Sequence, residues 1–182
     1  PDRGPQLTVH LEPKLAGVPS IALESARRSL VATALEVLGE VSRQLQGEPP
    51  RGEAFLAPVK DAEKAIEHFL GSVRRDAIGG ADAERQVACL QAIDHIRDLR
   101  RMLKRRELSV RGELDPNVNE LRGQATEITR EVIAWLGRER LGLSPVDAAL
   151  AFARRVHGMR PRVRAAILRA TVGGDLDATV AD

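Results

Sequence analysis

The chain has 182 residues, 43% of them apolar and only 2% aromatic, with one Trp, three Phe and no Tyr. That is enough for one sizeable domain or two small repeats, with a core of Leu, Val, Ile and Ala. Such a core suits helix-on-helix packing and argues against a β-sandwich, while 28 basic against 26 acidic residues give a near-balanced surface instead of a nucleic-acid footprint. No apolar run approaches the roughly eighteen residues a membrane-spanning helix needs. The single cysteine, Cys89, has no internal disulfide partner, fits a reducing compartment, and reads as a small core residue.

Residues 1–19 are rich in Pro and Gly, lack periodicity, and read as an extended entry segment. A first helix is expected over 20–46, with Leu23, Leu30, Ala34, Val37, Val41 and Leu45 on one face. Gly47-Glu-Pro-Pro50 ends it, since proline cannot continue the ladder. A second helix covers 53–76, striped by Val59, Ala62, Ile66, Phe69 and Val73, and is broken at Gly79-Gly80. A third covers 82–106, with Leu90, Ile93, Ile96 and Leu103 inward. Short connections make these three an up-down-up bundle over 20–106.

Residues 107–115 read as a linker. Asp115-Pro116 is a helix-start signal for a fourth helix over 116–141. Its apolar positions Val118, Leu121, Ala125, Ile128, Val132 and Trp135 keep a heptad seam. A further helix opens at Ser144-Pro145-Val146-Asp147 and is kinked or split around 158–161. Residues 175–182 read as the start of another element. The layout predicts an all-α up-down bundle of two three-helix units, the second (116–182) lacking its last helix.

Four carboxylates form the one constellation with metal-ligand chemistry. Glu63 and Glu67 lie four apart on the second helix, and Asp94 and Asp98 lie four apart on the third. Facing carboxylate pairs offer oxygen ligands to a divalent or iron-type ion, with His68 and His95 as nitrogen donors nearby. The competing reading is a solvated face, because Arg97, Arg101, Lys60 and Lys64 are interleaved with the acids. The densest basic run supplies Arg100, Arg101, Lys104 and Arg105, either a solvated helix end or a contact for an anion or lipid headgroup. His10 and His157 stand apart from any Ser, Cys or acidic partner at meaningful spacing. There is no phosphate loop, nucleophile elbow or zinc spacing, so no catalytic residue is assigned and no cofactor is required.

Two stretches carry a family likeness. Leu11-Glu-Pro-Lys-Leu-Ala-Gly-Val-Pro-Ser20 leads into Ala22-Leu-Glu-Ser-Ala-Arg-Arg28, and Ala92-Ile-Asp-His-Ile-Arg-Asp-Leu99 closes the third helix. Together they resemble the PhoU-like cytoplasmic domain of bacterial sodium/phosphate cotransporters. The likeness is best over residues 11–45, continues in element order to about 141, and weakens beyond. It implies a PhoU-like, non-enzymatic regulatory module at the cytoplasmic face of the inner membrane. Its partner would be a membrane-embedded transporter domain in the same polypeptide, preceding Pro1; a homodimer is allowed and no nucleic acid is implied. Ala22, Glu24, Arg27 and Arg28 become candidate interface residues. Some family members hold metal clusters on acidic pairs, but here Gln91 stands where a leading acid is expected. A free-standing helical adaptor or dimerisation module is the alternative. A ferritin-like metal enzyme ranks below both, because Glu67-His68 and Asp94-His95 are adjacent instead of three apart.

Overall fold

The computed structural model describes residues 7–73, 79–105 and 116–140, together with residues 153, 154, 157, 158, 161, 164 and 165. Among them every regular element is helical: a 3₁₀ turn Pro13–Gly17, then α1 Pro19–Leu45, α2 Glu53–Ser72, α3 Gly80–Arg105 and α4 Pro116–Arg140. The all-α expectation holds. No helix among the described residues is long and apolar enough to cross a membrane. The chain divides into two compact units, Pro1–Glu40 with Pro50–Glu107, and Val41–Pro49 with Leu108–Asp182. The last turn of α1, assigned from the sequence to the first bundle, therefore belongs to the second unit.

α1 starts where Ala22 N–H first reaches back to Val18 O, which puts Pro19 at the first helical position. Proline fits there because its missing N–H would have had no helical acceptor. The helix stops at glycine before it meets the prolines. Gly47 has φ +85°, Glu48 N–H donates to Arg43 O, and Gly47 N–H donates to Gln44 O. This paired return is the Schellman arrangement, which needs the left-handed conformation that glycine adopts without steric penalty. In the same unit Arg122 Nε of α4 donates to Leu45 O, placing a cation against the carbonyl end of α1.

The expected stripe of α1 is inside, with Ala34 half-buried, but it is only part of what is covered. Ala22, Ser25, Ala26, Ser29, Thr33, Glu40 and Gln44 are buried as well. Between residues 22 and 45 only Arg28 is classed as exposed. The reading of α1 as a one-faced helix is thus corrected. On that second face Ala22, Ser25, Ala26, Ser29 and Thr33 are small, Thr33 Oγ1 donates to Ser29 O at 2.8 Å and so enters the interior already bonded, and Glu40 is answered by Arg51.

α2 buries the predicted stripe Val59, Ala62, Ile66 and Phe69, with Phe55, Leu56 and Leu70 beside it; Val73, also buried, is the extended residue at which the helix ends, short of the expected 76. α3 buries Ile93, Ile96 and Leu103, but Leu90 is 40% exposed and Cys89 takes its place inside. The seam runs 89, 93, 96, 103, and Leu90 lies about 100° around the helix from it. α2 and α3 are antiparallel: Glu63 meets Arg100, Glu67 meets Arg97, and Gln86 Nε2 donates to Leu70 O. On α4 Leu121, Ala125, Ile128, Val132 and Trp135 are half-buried, and the buried residue is Thr129, which donates its hydroxyl to Ala125 O. Of the fifth helix, the described residues, including Gly158 and Pro161, are helical, and the remainder, with 175–182, lies outside the described residues.

Ile66 is 0% exposed at the centre of the α2 stripe. Ile66→Ala is expected to lower unfolding free energy by about 2–5 kcal/mol, read as a drop in the urea midpoint, whereas Leu90→Ala, on the exposed face, is expected to cost well under half of that.

Candidate functional site

Two places in the first unit gather charged side chains. One is the α2–α3 seam; the other is a cleft where the N-terminal segment crosses the start of α1.

The seam holds all four predicted metal carboxylates, and each meets a guanidinium. Glu63 is buried, and Arg100 donates to it twice, Nε to Oε1 at 2.7 Å and Nη2 to Oε2 at 3.0 Å. Arg97 Nε stands 3.8 Å from Glu63 Oε2. The same Arg97 reaches Glu67 Oε2 at 2.9 Å and Asp94 Oδ1 at 2.7 Å. Asp98 accepts from Arg101 at 3.1 Å. The structure thus brings Glu63, Glu67 and Asp94 together around Arg97, leaves Asp98 on a neighbouring pair, and leaves His68 and His95 exposed. Among the described residues no three His, Cys, Asp or Glu side chains converge as a metal site would require. Arg100, expected to face an anion or lipid, is instead held by Glu63 and is mostly covered. Arg101, Lys104 and Arg105 remain on the exposed end of α3.

A buried carboxylate needs a partner that satisfies both oxygens, and the planar fork of arginine supplies two parallel donors. The Glu63–Arg100 pair therefore ties α2 to α3 in one register. Glu40 does the same for the loop before α2. It is 1% exposed, accepts from Arg51 N–H at 3.0 Å and from Arg51 Nε at 2.6 Å, and Arg51 stacks 4.1 Å from the centre of the Phe55 ring.

The cleft encloses about 430 Å³. Val9, His10, Glu12 and Leu15 form one wall, and Ser20, Ile21, Glu24, Ser25 and Arg28 of α1 form the other. Two of the candidate interface residues, Glu24 and Arg28, line it, and Arg27 is bonded to Glu24 from alongside. Arg27 donates through Nε to Glu24 Oε2 at 2.8 Å and through Nη2 to Oε1 at 2.9 Å, and Arg28 Nε donates to Oε1 at 3.0 Å. The Arg27 hydrogen bond is the largest influence on Glu24. With the Arg28 bond and both positive charges it overcomes desolvation, and holds the carboxyl at about 2 against an ordinary 4.5. Cys89 of α3 feels the same cluster: burial pushes its thiol up, Arg27 opposes that, and Glu24 adds to it. A buried thiol of this kind is a packing residue instead of a nucleophile.

Sequence reasoning missed the cleft because its outer wall, residues 7–15, carries no periodic signal. The one available cue was the isolated His10 and Glu12 beside the Pro13 turn. Comparison of the chain with family models, with curated proteins and with solved structures returns no match.

The two arginine-bound carboxylates separate by experiment. Glu63→Ala strands a mostly covered Arg100 and is expected to cost about 3 kcal/mol, whereas Glu67→Ala, on the exposed rim, is expected to cost less than about 1 kcal/mol; urea denaturation reads both. Glu24 makes a pH signature. Its carboxyl binds a proton less readily folded than unfolded, so its contribution is complete above about 4.5 and is lost as pH falls toward 2. Glu24→Gln is expected to flatten the fall of thermal stability across that window by a fraction of a kcal/mol, since the pair is well exposed to solvent.

Proposed function

We propose that the chain is a PhoU-like helical module that regulates a sodium-dependent phosphate transporter by binding it at the cytoplasmic face of the inner membrane. The observation that carries this reading is the behaviour of the segment with the family likeness. Ala22, Leu23 and Ala26 of Ala22-Leu-Glu-Ser-Ala-Arg-Arg28 are fully enclosed, while Glu24 and Arg28 line a cleft and Arg27 is bonded to Glu24 beside it. A motif whose apolar letters build the core and whose charged letters form one surface cluster is what a docking module needs.

The supporting chemistry is that of a scaffold. The carboxylates of the α2–α3 seam hold helices together through arginine, and the exposed cations Arg101, Lys104 and Arg105 end α3. A module of this kind acts by contacting two transporter states unequally. A coupling of about 1–3 kcal/mol is enough to shift the balance several-fold to a hundredfold.

The test is phosphate uptake by cells in which the coding sequence for these 182 residues is removed in frame. Uptake rate, or its dependence on external phosphate, is expected to change by several-fold and to return on complementation. Identical uptake and identical phosphate control in the two strains would reject the proposal and favour an adaptor unrelated to transport.

A further inference from the structure

The cleft between the N-terminal segment and α1 carries more donors than the fold uses. Arg28 engages Glu24 through Nε alone, and its two terminal nitrogens have no partner among the described residues. Glu24 thus fixes the guanidinium while leaving the outer edge of its fork open. Ser25 is 8% exposed, lines the cleft, and its hydroxyl has no hydrogen bond among the described residues. Ser20 lies one position into the first turn of a 27-residue helix, where backbone N–H groups have no helical acceptor and the dipole favours negative charge. His10 adds a ring N–H in either tautomer. Around these donors the rim is apolar and open, with Val9 at 56% and Ile21 at 49% exposure.

The two carboxylates of the cleft set the limits on what enters. Both oxygens of Glu24 already accept from Arg27 and Arg28, so it presents no free acceptor of strength. Glu12 faces it from the other wall, and its side chain does not cap the 3₁₀ turn that follows. A bare anion gains from Arg28 and is repelled by Glu12. A peptide satisfies both, with a side-chain carboxylate at Arg28, a backbone N–H at Glu12, and apolar neighbours on Val9 and Ile21.

We infer that this cleft binds a peptide segment of a partner protein in which an acidic residue is flanked by apolar side chains, the carboxylate taken by the open edge of the Arg28 guanidinium with the Ser25 hydroxyl on the same face of α1. This deepens the reading of the chain as a docking module by giving the chemistry of what docks. It rests on that reading only for the partner's biological identity, because peptide capture by the purified chain is measured without any transporter.

The experiment is a ¹⁵N–¹H correlation titration of the whole 182-residue chain. The probes are acetyl-Leu-Glu-Leu-amide, its Gln and Lys counterparts at the central position, and inorganic phosphate. Saturable shifts are expected at His10, Ser20, Ser25 and Arg28 with the Glu peptide, binding about tenfold tighter than the Gln peptide. Arg28→Gln, at an exposed position, is expected to remove that tenfold preference while the remaining spectrum shows an unchanged fold. The inference is overturned by an absence of saturable shifts at these residues, by equal binding of the Gln or Lys peptide, or by inorganic phosphate producing the same shifts and displacing the peptide. The last result would make the cleft a site for inorganic anions. Peptide capture in the test tube with unaltered uptake in cells would leave the cleft standing and remove the transporter.

Discussion

The covering of α1 is the constraint on which the rest depends. A helix with water on one side can be read from its periodicity. From residue 22 to 45, α1 has no such water face: every position but Arg28 is buried or half-buried. Alanine, serine and threonine on its second face keep that side narrow. Thr33 bonds its own backbone, and Ser29 enters with a hydroxyl for which the described residues provide no partner. Arg28 is the exception for a physical reason. It is long, charged and held by Glu24, so it lies along the surface and opens on the cleft while Ala22 and Ala26 beside it stay inside.

Charge plays two roles, and burial separates them. Glu40 and Glu63 are almost wholly covered, and in each an arginine satisfies both carboxylate oxygens, Arg100 through two guanidinium nitrogens and Arg51 through Nε and its own backbone N–H. Breaking such a pair strands the partner, so these arginines act as register pins. Glu67, Asp94 and Asp98 belong to the exposed rim, where ion pairs contribute little and give way easily. Glu24 stands between the two groups. Its solvent access keeps its energetic contribution small, yet two arginines bind it tightly enough to shift its titration and fix their own positions. Electrostatics at that point organises a surface more than it stabilises a core.

The helical architecture was legible because α2 carries a clean apolar stripe and because glycines and prolines fall between periodic segments. The phase of α3 was less legible. Leu90 and Cys89 are neighbours in sequence, and hydrophobicity favours leucine, but the seam through Ile93 and Ile96 selects the smaller cysteine. The candidate metal constellation was built from acids four apart on one helix, a spacing that says nothing of which cation faces them from the next helix. Arg100 lies 37 positions from Glu63, and only the antiparallel packing of α2 on α3 brings them together. The cleft was hidden for the opposite reason, since an aperiodic segment gives no cue to where it rests. The charged letters Glu24, Arg27 and Arg28 were singled out through a resemblance, and the structure adds that they are bonded to one another.

Native-state hydrogen exchange along α1 tests the central claim most directly. If the helix is enclosed as described, amides from Leu23 to Glu40 exchange only through opening of the whole unit, with one common denaturant dependence equal to that of global unfolding. Exchange of these amides by shallow local openings, at rates matching the exposed end of α3, would contradict it.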